Sequence, residues 1–137
     1  MRLVLDASIT LAWIYSDETT AEVLQLFDMV KTDGFWVPEL WRWEVANVLQ
    51  MNVKRGRHGA AFRDAALLDL GLLSIHVDAE AGRQAWGPTV RVAERHGLTV
   101  YDAAYLELAL RRGVPLATLD EDLRAAAEAE KVRLLGV

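Results

Sequence analysis

The chain of 137 residues contains no cysteine, which excludes disulfide bonds, thiolate zinc sites and cysteine nucleophiles. No apolar run approaches the roughly 20 residues that a membrane span requires. Asp6 interrupts the apolar start, so no secretory signal is recognisable. The nine glycines form no phosphate-binding spacing of the Walker type. We therefore expect a cytoplasmic globular protein without a membrane partner.

The balance of charge is acidic, with a formal net charge of −5. This argues weakly against a nucleic-acid ligand, because such binding depends mainly on Lys and Arg contacts to phosphate. Two local basic clusters nevertheless occur, Lys54 to His58 and Arg111 with Arg112, and each is simply explained as a solvated helix end. With 53% hydrophobic and 26% charged residues, the chain has the composition of one folded domain over residues 1–137.

Apolar periodicity and turn residues predict that strands alternate with helices. We predict strands at 2–5, 35–37, 72–77, 115–118 and 132–137. Predicted helices cover 16–33, 39–54, 58–70, 79–95 with a bend near Gly87 and Pro88, 100–112, and a final segment opening at Asp120. This alternation is typical of an α/β fold with a central parallel sheet and helices on both faces.

Acidic residues follow several of the predicted strands. Asp6 follows the first and Asp120 the fourth, while Asp102 opens the helix after residues 98–100 and Glu44 lies early in the helix after Pro38. Helix capping alone explains each Asp, since Asp binds free N–H groups at helix starts. In open α/β sheets, however, ligands bind beyond the carboxyl ends of the strands, and four acids from distant segments would meet there.

Clustered carboxylates repel one another, so stability alone does not explain their convergence. Mg²⁺ or Mn²⁺ compensates such a cluster and keeps coordination sites for water and phosphate. Two ions of this kind activate a water and stabilise the leaving oxygen in an in-line phosphodiester displacement, with no need of histidine.

Four sequence motifs, in order, resemble those of PIN domains, and among them the VapC-type toxins of toxin–antitoxin pairs. The first is LVLDAS at residues 3–8 and the second is VPELW at 37–41 with EVANVL at 44–49. The third is LTVYDAAY at 98–105 and the fourth is PLATLD at 115–120. Each motif alone is weak, but their order and spacing agree over nearly the whole chain.

The resemblance implies a PIN-like α/β/α sandwich and a metal-dependent endoribonuclease that uses Mg²⁺ or Mn²⁺. It implies that the catalytic and metal-holding acids are Asp6, Glu44, Asp102 and Asp120. Ser8 and Thr118 match hydroxyl positions that support the acids or a metal-bound water. Asp122 is either an outer acid of the site or a residue favouring the helix start, and Asn47 shares a helix side with Glu44.

The resemblance also implies partners. The family usually forms homodimers and is inhibited by a small VapB-like antitoxin, through which operator DNA is bound. We expect the antitoxin to dock near Trp41 and Trp43, with a cationic side chain facing the acids.

Competing interpretations remain at this stage. A haloacid-dehalogenase-like phosphatase would need a second Asp where Ser8 stands, and a receiver domain would need a late lysine where only Lys131 is found. A stand-alone RNA-processing nuclease and a PIN-fold binding module without activity both remain open.

Overall fold

Five short parallel strands form one sheet, in the order β3-β2-β1-β4-β5. The computed structural model describes residues 2–137. The strands are β1 (Val4–Leu5), β2 (Phe35–Pro38), β3 (Ile75–Asp78), β4 (Leu116–Ala117) and β5 (Leu134–Leu135).

The connections between strands are helical. The helices are α1 (Ala7–Ile14), α2 (Ala21–Asp33), α3 (Leu40–Lys54), α4 (Ala60–Gly71), α5 (Ala81–Gln84), α6 (Val90–His96), α7 (Val100–Arg112) and α8 (Glu121–Ala129). A π-helical turn, Ala85–Thr89, joins α5 to α6 and contains Pro88, which explains the predicted bend. None of the helices in residues 2–137 has the length and apolarity to span a bilayer.

Strand β1 is the centre of the sheet. Val4 is in register with Trp36 on one side and with Leu116 on the other. From β1, the chain adds β2 and then β3 on one side. It then returns past β1 to add β4 and β5 on the other side, so the order of strand addition reverses between β1 and β4. Ligands of open α/β sheets bind at such a switch point. The order also differs from the 2-1-3-4-5 order of receiver-type folds, which argues against that alternative.

The core consists of apolar residues from the strands and from the inner faces of the helices. Leu3, Val4 and Leu5 have no exposed surface, so β1 is covered on both faces. Helix α7 packs against β1, β2 and β4, and seven consecutive residues from Ala103 to Ala109 are buried. The sheet and α7 therefore form a rigid base for the groups at the carboxyl edge.

Two predicted element starts differ from the observed ones by three residues or more. The helix expected from residue 16 begins instead at Ala21, because Thr20 caps it and residues 16–18 form a separate 3₁₀ turn. The strand expected from residue 72 begins at Ile75, because the backbone N–H groups of Leu72 and Leu73 bond to the last turn of α4.

Candidate functional site

Asp6 stands between β1 and α1 and is 6% exposed. One carboxylate oxygen, Oδ1, accepts hydrogen bonds from the backbone N–H groups of Ser8 at 3.1 Å and Ile9 at 3.3 Å, so Asp6 does cap α1. The same oxygen accepts from the Ser8 hydroxyl at 2.5 Å. The other, Oδ2, accepts from the Thr118 hydroxyl at 2.6 Å. Capping requires only the hydrogen bonds from the backbone N–H groups of Ser8 and Ile9. The additional hydrogen bond from Thr118 connects Asp6 to the chain just after β4, across the switch point.

The two hydroxyls also fix the chain after β4. The backbone N–H of Leu119 donates to Ser8 Oγ at 2.9 Å, and the N–H of Asp120 donates to Thr118 Oγ1 at 3.0 Å. Asp120 itself caps α8, since its Oδ1 accepts from the Leu123 N–H at 2.8 Å. Ser8 and Thr118 therefore lie between Asp6 and the start of α8, and their support of a metal site stays a prediction.

Glu44, on α3, is held from α7. The Tyr105 hydroxyl donates to Glu44 Oε1 at 2.5 Å. Burial raises the pKa of Glu44, the Tyr105 hydrogen bond opposes that change, and the charges of Asp102 and Asp6 raise it further. The pKa of the Tyr105 hydroxyl is raised by burial and by the same three acids, so Tyr105 remains a neutral donor.

Asp102 lies in the first turn of α7, which Thr99 caps. Burial raises the pKa of Asp102, and the charges of Asp120 and Asp122 raise it as well. Burial likewise raises the pKa of Asp6, hydrogen bonds from Ser8 and Thr118 lower it, and the Asp102 charge adds to the increase. The charge of Asp102 acts on Asp6 and Glu44, and the charges of Asp120 and Asp122 act on Asp102, so the four predicted acids and Asp122 form one connected group near the carboxyl edge of the sheet.

The donor set has a clear chemical preference. It consists of carboxylate and hydroxyl oxygens, the hard ligands that Mg²⁺ and Mn²⁺ prefer. Within residues 2–137, no three Asp, Glu or His side chains lie close enough together to enclose a metal ion by themselves. This arrangement fits Mg²⁺, which keeps several waters and takes only one or two carboxylates directly.

Tyr105 is the residue that sequence reasoning missed as part of the site. The only signal was its position one helical turn after Asp102 in the third motif, which puts the two on neighbouring positions of one face. Its partner Glu44 is 61 residues away, so the contact could not be inferred from local sequence.

Two other predictions fare differently. Asn47 is exposed and, in the described part of the chain, has no hydrogen bond to the acids, so its role stays a prediction. The expectation that Trp41 presents a docking surface is wrong. Trp41 is 2% exposed and its indole N–H donates to Thr10 Oγ1 at 2.9 Å, because it faces the core side of α3. Trp43, by contrast, is 74% exposed.

The basic clusters are largely engaged within the molecule. Arg111 and Arg112 both bond to the buried carboxylate of Asp78, at 2.7 and 2.8 Å. Arg57 pairs with Asp17 at 2.8 Å and lies over the Tyr15 ring at 3.8 Å. The interpretation of Arg111 and Arg112 as a solvated helix end is therefore wrong, because both bond to a buried carboxylate on β3.

Comparison with known proteins agrees with the geometry. The family model described as "PIN domain" matches residues 3–129. The chain is 34% identical over 127 residues to Ribonuclease VapC3 of Pyrobaculum aerophilum, covering 90% of this chain and 92% of that protein. The solved structure of PAE2754 from the same organism superposes with a TM-score of 0.68 at 25% identity, over 92% of this chain and 87% of that one.

A more distant relative shares the fold. VapBC2 of Rickettsia felis, solved with a DNA fragment from its promoter, superposes with a TM-score of 0.64 at 14% identity, covering 98% of this chain and 97% of that one.

Proposed function

The chain belongs to the PIN domain family, and on that premise we propose that it is an endoribonuclease that works with Mg²⁺ or Mn²⁺. The observation that carries the proposal is the placement of the acids at the switch point of the sheet. Thr118 links Asp6 to Asp120 by hydrogen bonds. The charges of Asp102 and Asp6 raise the pKa of Glu44, and the Asp120 charge raises the pKa of Asp102. A fold gains nothing in stability from gathering carboxylates that raise one another's pKa. The name of the relative, Ribonuclease VapC3, supports RNA as the substrate.

Each of the proposed metal-holding residues has a defined task. Asp6, Glu44, Asp102 and Asp120 would hold the metal, and a bound divalent ion supplies an activated water and neutralises charge on the phosphate. Ser8 and Thr118 donate to both oxygens of Asp6, and Tyr105 donates to Glu44, so these two carboxylates are oriented before metal arrives. Such supporting contacts commonly change metal affinity 10- to 100-fold when removed.

Incubation of the purified chain with an unstructured RNA tests the activity. We expect cleavage with Mn²⁺ or Mg²⁺, none with excess chelator, and a loss of at least about 100-fold in Asp102→Asn. Asp64→Asn is the matched control, because Asp64 is an exposed acid that pairs only with Arg63 at 2.9 Å. Cleavage that persists in chelator, or equal loss in the two variants, would contradict the proposal.

We also propose that the protein is the toxin of a toxin–antitoxin pair and a homodimer, with operator DNA bound only through the antitoxin. Support comes from the VapC name of its relative and from the VapBC2 structure of the same fold, which contains promoter DNA. The exposed Trp43 lies next to Glu44 and remains available as an anchor, since aromatic side chains are frequent anchors of interfaces.

Co-expression with the product of a small neighbouring gene that encodes a DNA-binding protein tests the partner. We expect a stable complex without ribonuclease activity, a weaker complex for Trp43→Ala, and a dimer of the isolated chain by light scattering. A neighbouring product that neither binds nor inhibits would leave a stand-alone nuclease as the better description.

A further inference from the structure

Tyr101 presents an unusually open aromatic ring beside the acids. It is 66% exposed, immediately precedes Asp102 in the first turn of α7, and does not belong to the hydrophobic core. Within residues 2–137, its ring pairs with no other aromatic ring at all. An aromatic side chain left this open contributes little to folding, because it buries little apolar area.

The position of the ring follows from the Tyr105–Glu44 hydrogen bond. That bond, at 2.5 Å, identifies the strip of α7 that faces α3. Tyr101 lies four residues before Tyr105 and therefore occupies the same strip, one turn nearer the helix start. Side chains on helices lean toward the N-terminus, so the Tyr101 ring projects toward the start of α7, where Asp102 also lies.

Because both the protein and RNA carry net negative charge, RNA binding needs a contribution that is not ionic. The net charge is −5, and the ring directly precedes the acidic Asp102 in sequence. The guanidinium groups of Arg57, Arg111 and Arg112 are held by internal carboxylates. Base stacking on an aromatic side chain supplies binding energy of another kind, and it tolerates any base because every base has a π face.

We propose that Tyr101 is a stacking platform for an unpaired RNA base next to the phosphate that a divalent ion held by the acids would bind. This inference rests on the proposed ribonuclease function. A base in a duplex is already stacked on its neighbours and is not free to use the ring. The ring, and not the hydroxyl, carries the interaction.

Three variants separate the ring from its surroundings. Tyr101→Leu removes the ring and keeps apolar bulk in a helix, while Tyr101→Phe removes only the hydroxyl. Trp86→Leu is the matched control, since Trp86 is 96% exposed but lies on the π-helical turn rather than beside the acids. The probe is a fluorescein-labelled oligoribonucleotide of mixed sequence without secondary structure, and its binding is followed by anisotropy with Ca²⁺ in place of Mn²⁺.

We expect Tyr101→Leu to weaken binding by about tenfold, within the range that loss of one stacked base produces. Tyr101→Phe and Trp86→Leu should bind like the wild type. An oligoribonucleotide with abasic sites throughout should bind the wild type and Tyr101→Leu equally, because it offers nothing to stack. The rise in melting temperature that Mn²⁺ causes should be the same in the wild type and Tyr101→Leu.

Several outcomes would overturn the inference. One is equal RNA binding by the wild type and Tyr101→Leu. Others are a loss of binding in Tyr101→Leu that is as large on the abasic probe, or one that Tyr101→Phe reproduces. The last is a Tyr101→Leu variant that loses antitoxin binding while its RNA binding is intact. Cleavage of the same RNA with Mn²⁺, measured in parallel, distinguishes the two proposals. If the wild type cleaves while Tyr101→Leu binds normally, only the stacking inference fails. A wild type that neither binds nor cleaves RNA overturns the proposed function as well.

Discussion

At the scale of single residues, Asp6 combines two roles that are usually separate, a helix cap and a member of a charged cluster. As a cap, Asn serves about as well as Asp, so capping predicts almost no change in stability for Asp6→Asn. Burial and the Asp102 charge, which raise the Asp6 pKa, predict instead that Asp6→Asn changes the stability of the metal-free protein. The folded chain holds the Asp6 proton more tightly than the unfolded chain, so the stability of the metal-free protein falls as pH rises from the usual Asp range to the raised pKa.

We therefore expect Asp6→Asn to stabilise the metal-free protein at pH 7 by about 1 kcal/mol. The difference should shrink at an acidic pH below the raised pKa, where the wild-type carboxyl is protonated. Thermal melts in chelator at both pH values measure this, and added Mn²⁺ should raise the melting temperature of the variant less than that of the wild type. Identical melts at both pH values, an identical Mn²⁺ shift and retained cleavage would reduce Asp6 to a cap.

Tyr105 provides a second test at this scale. Tyr105→Phe removes one hydroxyl and leaves Glu44 without its donor, so we expect Mn²⁺ affinity to fall by about tenfold in calorimetric titration. Tyr15→Phe is a matched control, because it removes a buried hydroxyl that is hydrogen bonded at another place in the fold. The Tyr15 hydroxyl contacts Asn52 at 2.8 Å and His58 at 2.7 Å. Both variants should lose about 1 kcal/mol of stability, but only the first should lose metal affinity. Equal affinities in the two variants would show that the Tyr105 hydroxyl is structural.

At the scale of elements, the end of β3 is joined to α7 by a buried ion pair. The Asp78 carboxylate has no exposed surface and accepts hydrogen bonds from Arg111 and Arg112. Burial alone would raise the pKa of Asp78, but the two guanidinium groups outweigh it and lower the pKa. The stability that this carboxylate contributes is therefore present above the usual Asp pKa and is lost only as pH falls through the lowered value.

We expect Asp78→Asn to destabilise the protein by about 3 kcal/mol at pH 7, because Arg112 loses its compensating charge and Arg111 keeps only that of Glu107. Urea denaturation measures the change, and the deficit should shrink at pH values below the lowered pKa. Asp64→Asn, which removes an exposed pairing, should change stability by less than about 0.5 kcal/mol. A small effect of Asp78→Asn would mean that solvent readily replaces the carboxylate.

Two glycines at helix ends give a matched pair. Gly34 and Gly113 follow α2 and α7 with φ of 77° and 65°. A Cβ on Gly34 would lie 2.6 Å from the Ser74 carbonyl oxygen, whereas a Cβ on Gly113 would meet nothing within 4 Å. We expect Gly113→Ala to cost about 1 kcal/mol, from left-handed backbone strain alone. Gly34→Ala should cost at least about twice as much, because a ψ of −176° adds strain to the close Ser74 contact. Equal losses in urea denaturation would show that the backbone near Gly34 and Ser74 relaxes.

The bounds of some elements could be predicted from local sequence, and those of others could not. Helix α7 was predicted with its observed bounds, because Thr99 caps its start and Gly113 ends it, and both signals are local. The start of α2 was misplaced because Ser16 and Thr20 both resemble caps, and only the surrounding fold selects between them. The acids were found from their places after strands, whereas the Tyr105–Glu44 and Asp78–Arg111 contacts depend on how distant elements pack.

At the scale of the whole molecule, the distribution of charge predicts how RNA binding depends on salt. Because Arg57, Arg111 and Arg112 are held by internal carboxylates, we expect the chain to make only about two or three phosphate contacts. The logarithm of the binding constant for single-stranded RNA should then fall against the logarithm of salt concentration with a slope near −2. Anisotropy titrations in Ca²⁺ at several KCl concentrations measure it. A slope steeper than about −4 would reveal a basic surface that the ion pairs conceal.

The contact between Asp6 and Thr118 spans 112 residues of sequence. Strand β1 is synthesised before β4, so the ribosome must make the whole intervening segment before the acidic edge can close. Products of termination upstream of β4 lack Thr118 and Asp120 and cannot assemble that edge. We therefore expect a nascent chain to gain the arrangement on which the proposed chemistry depends only after β4 has been synthesised.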